Sequence, residues 1–168
     1  SDAAAVFVGC NELFHLGIDE SKLMELAANI GSDVPFCIKG GTAIAEGRGE
    51  RIKSLPDLPK MHVVLVRADY GVSTAAVYKA IHLSDIHPKQ ELFDQLCEAV
   101  THGDTAFIEH NLHNALERPS FRVDNRTGER KKVLMDAGVQ NVLMSGSGPT
   151  LFALYAQAYD AWKNYKKI

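Results

Sequence analysis

Along the first thirty residues, apolar positions recur at three- and four-residue spacing, the period of helices packed by one face. Val6, Phe7, Cys10, Leu13 and Phe14 predict one helix, ending near Gly17. Leu23, Met24, Leu26, Ala27 and Ile30 predict a second, capped by Asp19 or Ser21 and stopped at Gly31. The stretch "GGTAIAEGRGERIKSL" then alternates small or apolar residues with polar ones, which predicts short strands joined by a glycine turn. "PDLPK" has turn chemistry and is the best place for a domain boundary, dividing the chain into 1–58 and 59–168. Beyond it, "MHVVLVRA" (61–68) is a continuous apolar run rich in β-branched residues and predicts a central strand. "STAAVYKAI" predicts a helix started by a capping hydroxyl. Helical patterns follow at roughly 89–100, 104–116 and 126–137. "NVLMSGSGPTLFALY" predicts a strand, a glycine-rich turn and a strand, and "QAYDAWKNYKK" a closing helix. The fold class is α+β, and the order β-α-(helices)-β-β-α from residue 61 is that of a split β-α-β layout with extra helices.

Composition narrows the function without naming it. The chain has 168 residues, 46% of them hydrophobic and 23% charged, as in an ordinary globular domain. A net charge of −3 gives no general attraction for nucleic acid or membrane, so an anionic ligand must be held by a local site. Cys10, Cys37 and Cys97 are widely spaced among apolar neighbours, which predicts buried, reduced thiols and a cytoplasmic protein. No apolar run reaches membrane-spanning length. The opening "SDAAAVFVGCNELFHLG" lacks a methionine and enters helical pattern at once, so the chain is expected to be the later part of a longer polypeptide.

Candidate chemistry sits in three stretches. "GSDVPFCIKGG" sets Asp33 at the lip of an apolar run. Its carboxylate can cap the helix that follows or can accept a proton from a ligand. "SGSGPT" (145–150) carries Gly146 and Gly148 between two strands. Such a turn is either a structural bulge or a loop whose amides meet phosphate oxygens. Tyr78, beside Val77 and Ile81, is either a core aromatic or a stacking platform for a base. The seven histidines show no metal-ligand spacing; His110 and His113 read as a solvated helix face, and Arg48 and Glu50 as solvated turn residues without a role.

Together, "GSDVPFCIKGGTAIAEGRGE" and the later "LMSGSGPTLFAL" resemble the GHMP small-molecule kinases. "SDAAA" is similar to the tail of that family's phosphate loop, "GVSTAAVYKA" to the segment after the first strand of its second domain, and "HNALE" (113–117) to its N-D-L-E. The wording is most similar to the branch acting on 4-diphosphocytidyl-2-C-methyl-D-erythritol in isoprenoid-precursor synthesis. The resemblance implies a GHMP kinase fold, with part of an S5-like N-terminal domain followed by a ferredoxin-like C-terminal domain. It implies transfer of the γ-phosphoryl group of ATP, accompanied by Mg²⁺, to the 2-hydroxyl of that cytidyl substrate. Asp33 would accept the hydroxyl proton. Tyr78 would stack on the cytosine with Thr74 beside it. Ser145, Gly146, Ser147 and Gly148 would line the phosphates, with Ser1 at the remnant of the nucleotide loop. No metal ligand is assigned by it. The family's catalytic lysine and a substrate-binding histidine have no counterpart in this chain, so these 168 residues alone are expected to bind ATP poorly and turn over no substrate.

Two other readings compete. A homoserine, mevalonate or sugar kinase would share the fold, but "DVPF" and the Tyr78 segment favour the cytidyl alcohol. A non-catalytic ligand- or RNA-binding domain of ferredoxin-like layout would show basic residues interleaved with aromatics on its strands, which "MHVVLVRA" and "TLFALY" lack.

Overall fold

A computed structural model describes residues 1–85 and 89–168, which form two compact units, Ser1–Asp57 and Leu58–Ile168. In the first unit, α1 (Asp2–Leu13), α2 (Glu20–Ala27) and α3 (Val34–Lys39) precede a hairpin of β1 (Thr42–Glu46) and β2 (Arg51–Leu55). The helix starts follow their capping residues. Asp19 accepts the Lys22 amide at 2.9 Å and Ser1 accepts that of Ala4 at 3.5 Å. Small side chains let the helices approach: Ala4, Ala27 and Val34 meet in one buried cluster, with Phe7 and Ile38 packed against it.

The one-face packing expected of the first two helices is only partly realised. Leu23 and Ala27 are buried, but Val6, Leu13, Phe14 and Ile30 are exposed. Periodicity places apolar residues on a face; it does not say what covers that face. The thiols also depart from expectation, since Cys10 and Cys37 are exposed and Cys97 is half-buried.

The second unit is built on an antiparallel sheet of β3 (His62–Val66), β4 (Leu143–Met144) and β5 (Leu151–Tyr155) in the order β3-β5-β4. β5 runs down the middle, pairing Val64 with Ala153 on one side and Met144 with Leu151 on the other. Its alternate residues Leu151, Ala153 and Tyr155 are buried. Leu151 and Met144 join Leu134, Val139 and Val142 in the main core, each large side chain contributing about 1.5–3 kcal/mol by leaving water. β3, expected to be central, lies at the sheet's edge with Val63 and Leu65 exposed, while Val64 is buried and Val66 packs against the main core. A continuous apolar run cannot distinguish a strand covered on two faces from one covered on a single face.

Between β3 and β4 the chain passes through α4 (Thr74–Lys79), a short 3-10 turn at Leu83–Asp85, α5 (Gln90–His102), α6 (Thr105–Asn111), α7 (Glu117–Val123) and α8 (Arg126–Asp136); α9 (Ala158–Tyr165) closes the chain. The second of the three expected helical patterns, 104–116, is cut short at Asn111 by the extended Leu112. α7, which carries Pro119 in its first turn, is an additional helix.

Candidate functional site

In the turn at 145–148 and the residue before it, the carbonyls of residues 144–147 all have partners. The Gly148 amide donates to the Ser145 carbonyl at 2.9 Å. Asn114 Nδ2 donates to both the Met144 and the Gly146 carbonyls at 2.7 Å. Ser120 Oγ, fully buried on α7, donates to the Ser147 carbonyl at 3.0 Å. Four successive carbonyls, those of residues 144–147, are therefore engaged, three of them by side chains from outside the turn. The amides of Gly146 and Ser147, by contrast, have no hydrogen-bond partner among the described residues. Adjacent unpaired N–H groups in a turn form a concavity suited to an anion. Both glycines have left-handed backbone, and Gly148 also lacks room for a side chain. Gly146 has φ +55° and Gly148 φ +85°, and a Cβ on Gly148 would lie 2.7 Å from Met144 Sδ.

Beside this loop stands α4. Ser73 caps it by accepting the Ala76 amide at 3.3 Å, which leaves the Thr74 hydroxyl to pair with Ser147 Oγ at 2.8 Å. One turn on, Tyr78 is 58% exposed while its neighbour Val77 is fully buried. The aromatic is thus presented to solvent instead of filling the core. The far end of α4 is held by Arg122 of α7, which donates to the Ala80 carbonyl at 2.7 Å and forms a two-pronged ion pair with Asp85. That guanidinium, with help from the His82 amide, holds the Asp85 carboxyl down to about 2.

In the first unit, Asp33 occupies the N-cap position of α3, but its carboxylate makes no capping hydrogen bond and is exposed. Of the two roles left open by the sequence, the capping one is removed. Gly49, in the β1–β2 turn, faces it: a Cβ there would lie 3.6 Å from Asp33 Oδ1. Ser1 caps α1, and because Ala4 and Val34 share a cluster, the starts of α1 and α3 are neighbours. Glu50 is not simply solvated. Its side chain folds over the same turn to accept the Arg48 amide at 2.7 Å, and its own backbone amide, with that of Arg48, lowers its pKa.

Of the residues singled out from sequence, Thr74 and Ser147 are brought into direct contact. Ser1 and Asp33 begin neighbouring helices, and Tyr78 stands one turn beyond Thr74. Three supporting residues were given no role from sequence: Asn114, Ser120 and Arg122. Asn114 was visible as part of "HNALE" without a task. Ser120 and Arg122 act across 27 and 37 or more positions, and no local pattern announces such bonds.

The curated protein 4-diphosphocytidyl-2-C-methyl-D-erythritol kinase of Pelotomaculum thermopropionicum is 45% identical over 161 residues, covering 96% of this chain and 56% of the relative. Its namesake in Syntrophomonas wolfei is 39% identical over 170 residues, covering all of this chain and 59% of the relative. The chain thus spans less than two thirds of the length of these curated relatives. A solved 4-(cytidine 5'-diphospho)-2C-methyl-D-erythritol kinase superposes with TM-score 0.75 at 33% identity, over 98% of this chain and 58% of that one. A homoserine kinase from Cytophaga hutchinsonii gives the same TM-score, 0.75, at 21% identity over 99% of this chain and 59% of that one, a likeness of fold alone. No family model matches.

Proposed function

We propose that this chain, homologous along nearly its whole length to the 4-diphosphocytidyl-2-C-methyl-D-erythritol kinases and sharing their fold, belongs to an ATP-dependent kinase of that cytidyl alcohol. The observation that carries the reading is the loop at 145–148, where every carbonyl from 144 to 147 is tied back and two adjacent amides have no partner among the described residues, beside Thr74. Phosphoryl transfer asks mainly for alignment and for donors aimed at phosphate oxygens. The Gly146 and Ser147 amides supply such donors, with Ser145 and Gly148 shaping the turn. Asp33, free of a backbone partner, accepts the proton of the attacking 2-hydroxyl. Tyr78 stacks on the cytosine and Thr74 contacts the substrate from the same helix face. Ser1 contributes at the start of α1, toward the nucleotide.

ATP is the phosphoryl donor in this reading, and the cytoplasm its compartment. Mg²⁺ commonly binds through nucleotide phosphates and water with one or two carboxylates. The described residues group no three acidic, histidine or cysteine side chains that could cage an ion. In this reading Mg²⁺ enters as the nucleotide's companion, and no step is assigned to a protein-held metal.

The test is a phosphorylation assay of the full polypeptide carrying these residues, with the cytidyl alcohol, homoserine, mevalonate and a sugar offered separately. Turnover of the cytidyl alcohol with loss on Tyr78→Ala and retention on Tyr78→Phe is expected. Preference for another alcohol, or indifference to Tyr78→Ala, would refute the assignment.

A further inference from the structure

We propose that Asn114 is a positioning residue for the nucleotide: its amide orients the peptide planes of the 145–148 loop so that the loop's unpaired N–H groups face the ligand. The inference rests on the nucleotide reading of that loop. Its observation is separate, because Asn114 lies 30 and 32 positions before the two carbonyls it bonds and reaches them only through its side chain.

Every part of the Asn114 carboxamide is engaged. Its two N–H bonds go to the Met144 and Gly146 carbonyls, each at 2.7 Å, and its oxygen accepts the Leu116 amide at 2.9 Å. The reversed amide would set an oxygen against two carbonyl oxygens, so the orientation is determined by its partners. In a trans peptide the C=O and the following N–H point in opposite directions. Pulling the Gly146 carbonyl toward Asn114 therefore turns the Ser147 N–H away from it, out of the fold. The Ser145 carbonyl, fixed by the Gly148 amide, does the same for the Gly146 N–H. Ser120 holds the Ser147 carbonyl from a third side. Glu117, one helical turn from Asn114, anchors the strand end by accepting the Met144 amide at 2.9 Å, and Lys131 neutralises its charge at 2.7 Å. The donors of the concavity are thus aimed by side chains that need not touch the ligand.

The test uses the full polypeptide carrying these residues and the variants Asn114→Asp, Asn114→Ala and Ser120→Ala. Asn114→Asp is nearly isosteric and sets a carboxylate against the two carbonyls. Its KM for ATP is expected to rise by roughly 10–100-fold while the KM for the alcohol stays within about twofold. The Ser147 amide resonance is expected to move on adding Mg-ATP to the unmodified protein and to stop responding in Asn114→Asp. Should that variant fail to fold, the same ATP-selective loss in Asn114→Ala and Ser120→Ala carries the inference. KM values for the two substrates that stay level, or rise together in step with loss of folded protein, would overturn it and leave the kinase reading standing. An unmodified protein that phosphorylates no cytidyl alcohol, yet shows the Asn114-dependent amide response to ATP, would uphold the inference and sink the substrate assignment. No amide response in the unmodified protein would overturn both.

Discussion

Thr74 Oγ1 and Ser147 Oγ lie 2.8 Å apart, a hydrogen bond across 73 positions that joins the helix carrying Tyr78 to the glycine loop. The pair is exposed, so water competes for both hydroxyls and the bond contributes little to folding. Its consequence lies in geometry, since it ties the start of α4 to the glycine turn at 145–148. Thr74→Val and Ser147→Ala should each change unfolding free energy by no more than about 1 kcal/mol. In the full polypeptide, their effects on the two KM values should be non-additive by more than about 0.5 kcal/mol in a double-mutant cycle. Strict additivity would show that the two hydroxyls act independently.

Asp33 separates function from structure cleanly, because its carboxylate is exposed and caps nothing. Asp33→Asn removes no backbone bond and should leave unfolding free energy within about 0.5 kcal/mol of the original. Turnover of the full polypeptide should fall by roughly 10²–10⁴ if the carboxylate takes the hydroxyl proton. Denaturant titration and steady-state kinetics on the same preparation decide the matter. A stable variant with near-normal turnover would remove Asp33 from the chemistry.

Local rules made most of the second unit legible. The split β-α-β order followed from a β-branched run, a capping serine and two strands around a glycine turn, and all of these are present. The position of β3 at the sheet's edge was not legible, because Val63, Val64, Leu65 and Val66 read alike whether one face or two are covered. Burial of Cys10 and Cys37 failed for a related reason: apolar neighbours in sequence are not neighbours in space. At the site, the loop and Tyr78 stood out by composition and patterning. The brackets that hold them did not, since Ser120 and Arg122 act through contacts only tertiary structure creates.

Gly146 and Gly148 should respond differently to the same added methyl group. Both have positive φ, but a Cβ on Gly146 meets nothing within 4 Å, whereas one on Gly148 lies 2.7 Å from the sulfur of buried Met144. Gly146→Ala is expected to cost about 1 kcal/mol, the left-handed backbone strain alone. Gly148→Ala adds overpacking of the Met144 core and should cost roughly 2–4 kcal/mol in all. Chemical denaturation of the chain compares them directly. Equal costs would mean that Met144 yields freely and that glycine at 148 serves only the backbone angle.

The Arg122–Asp85 pair should leave a mark on acid stability. Asp85's side chain is 5% exposed, and its carboxyl is lowered to about 2, first by the Arg122 guanidinium and then by the His82 amide. A carboxyl whose pKa is lower in the folded state stabilises fully above its unfolded value, near 3.9, and loses that contribution as pH falls through the folded value. The window for Asp85 is therefore about pH 4 down to about 2. Asp124, lowered by Arg126, and Glu50, lowered by backbone amides of its own turn, act in the same direction, so the acid limb of the whole chain is a sum. Asp85→Asn isolates one share of it: Tm should drop at neutral pH and its decline below pH 4 should become shallower than in the original chain. Because Arg122 also holds the Ala80 carbonyl at the end of α4, the Tyr78 ring resonances should shift in the variant and in the acidified original alike. Parallel acid limbs in the two proteins would show that Arg122 holds α4 without help from the Asp85 charge.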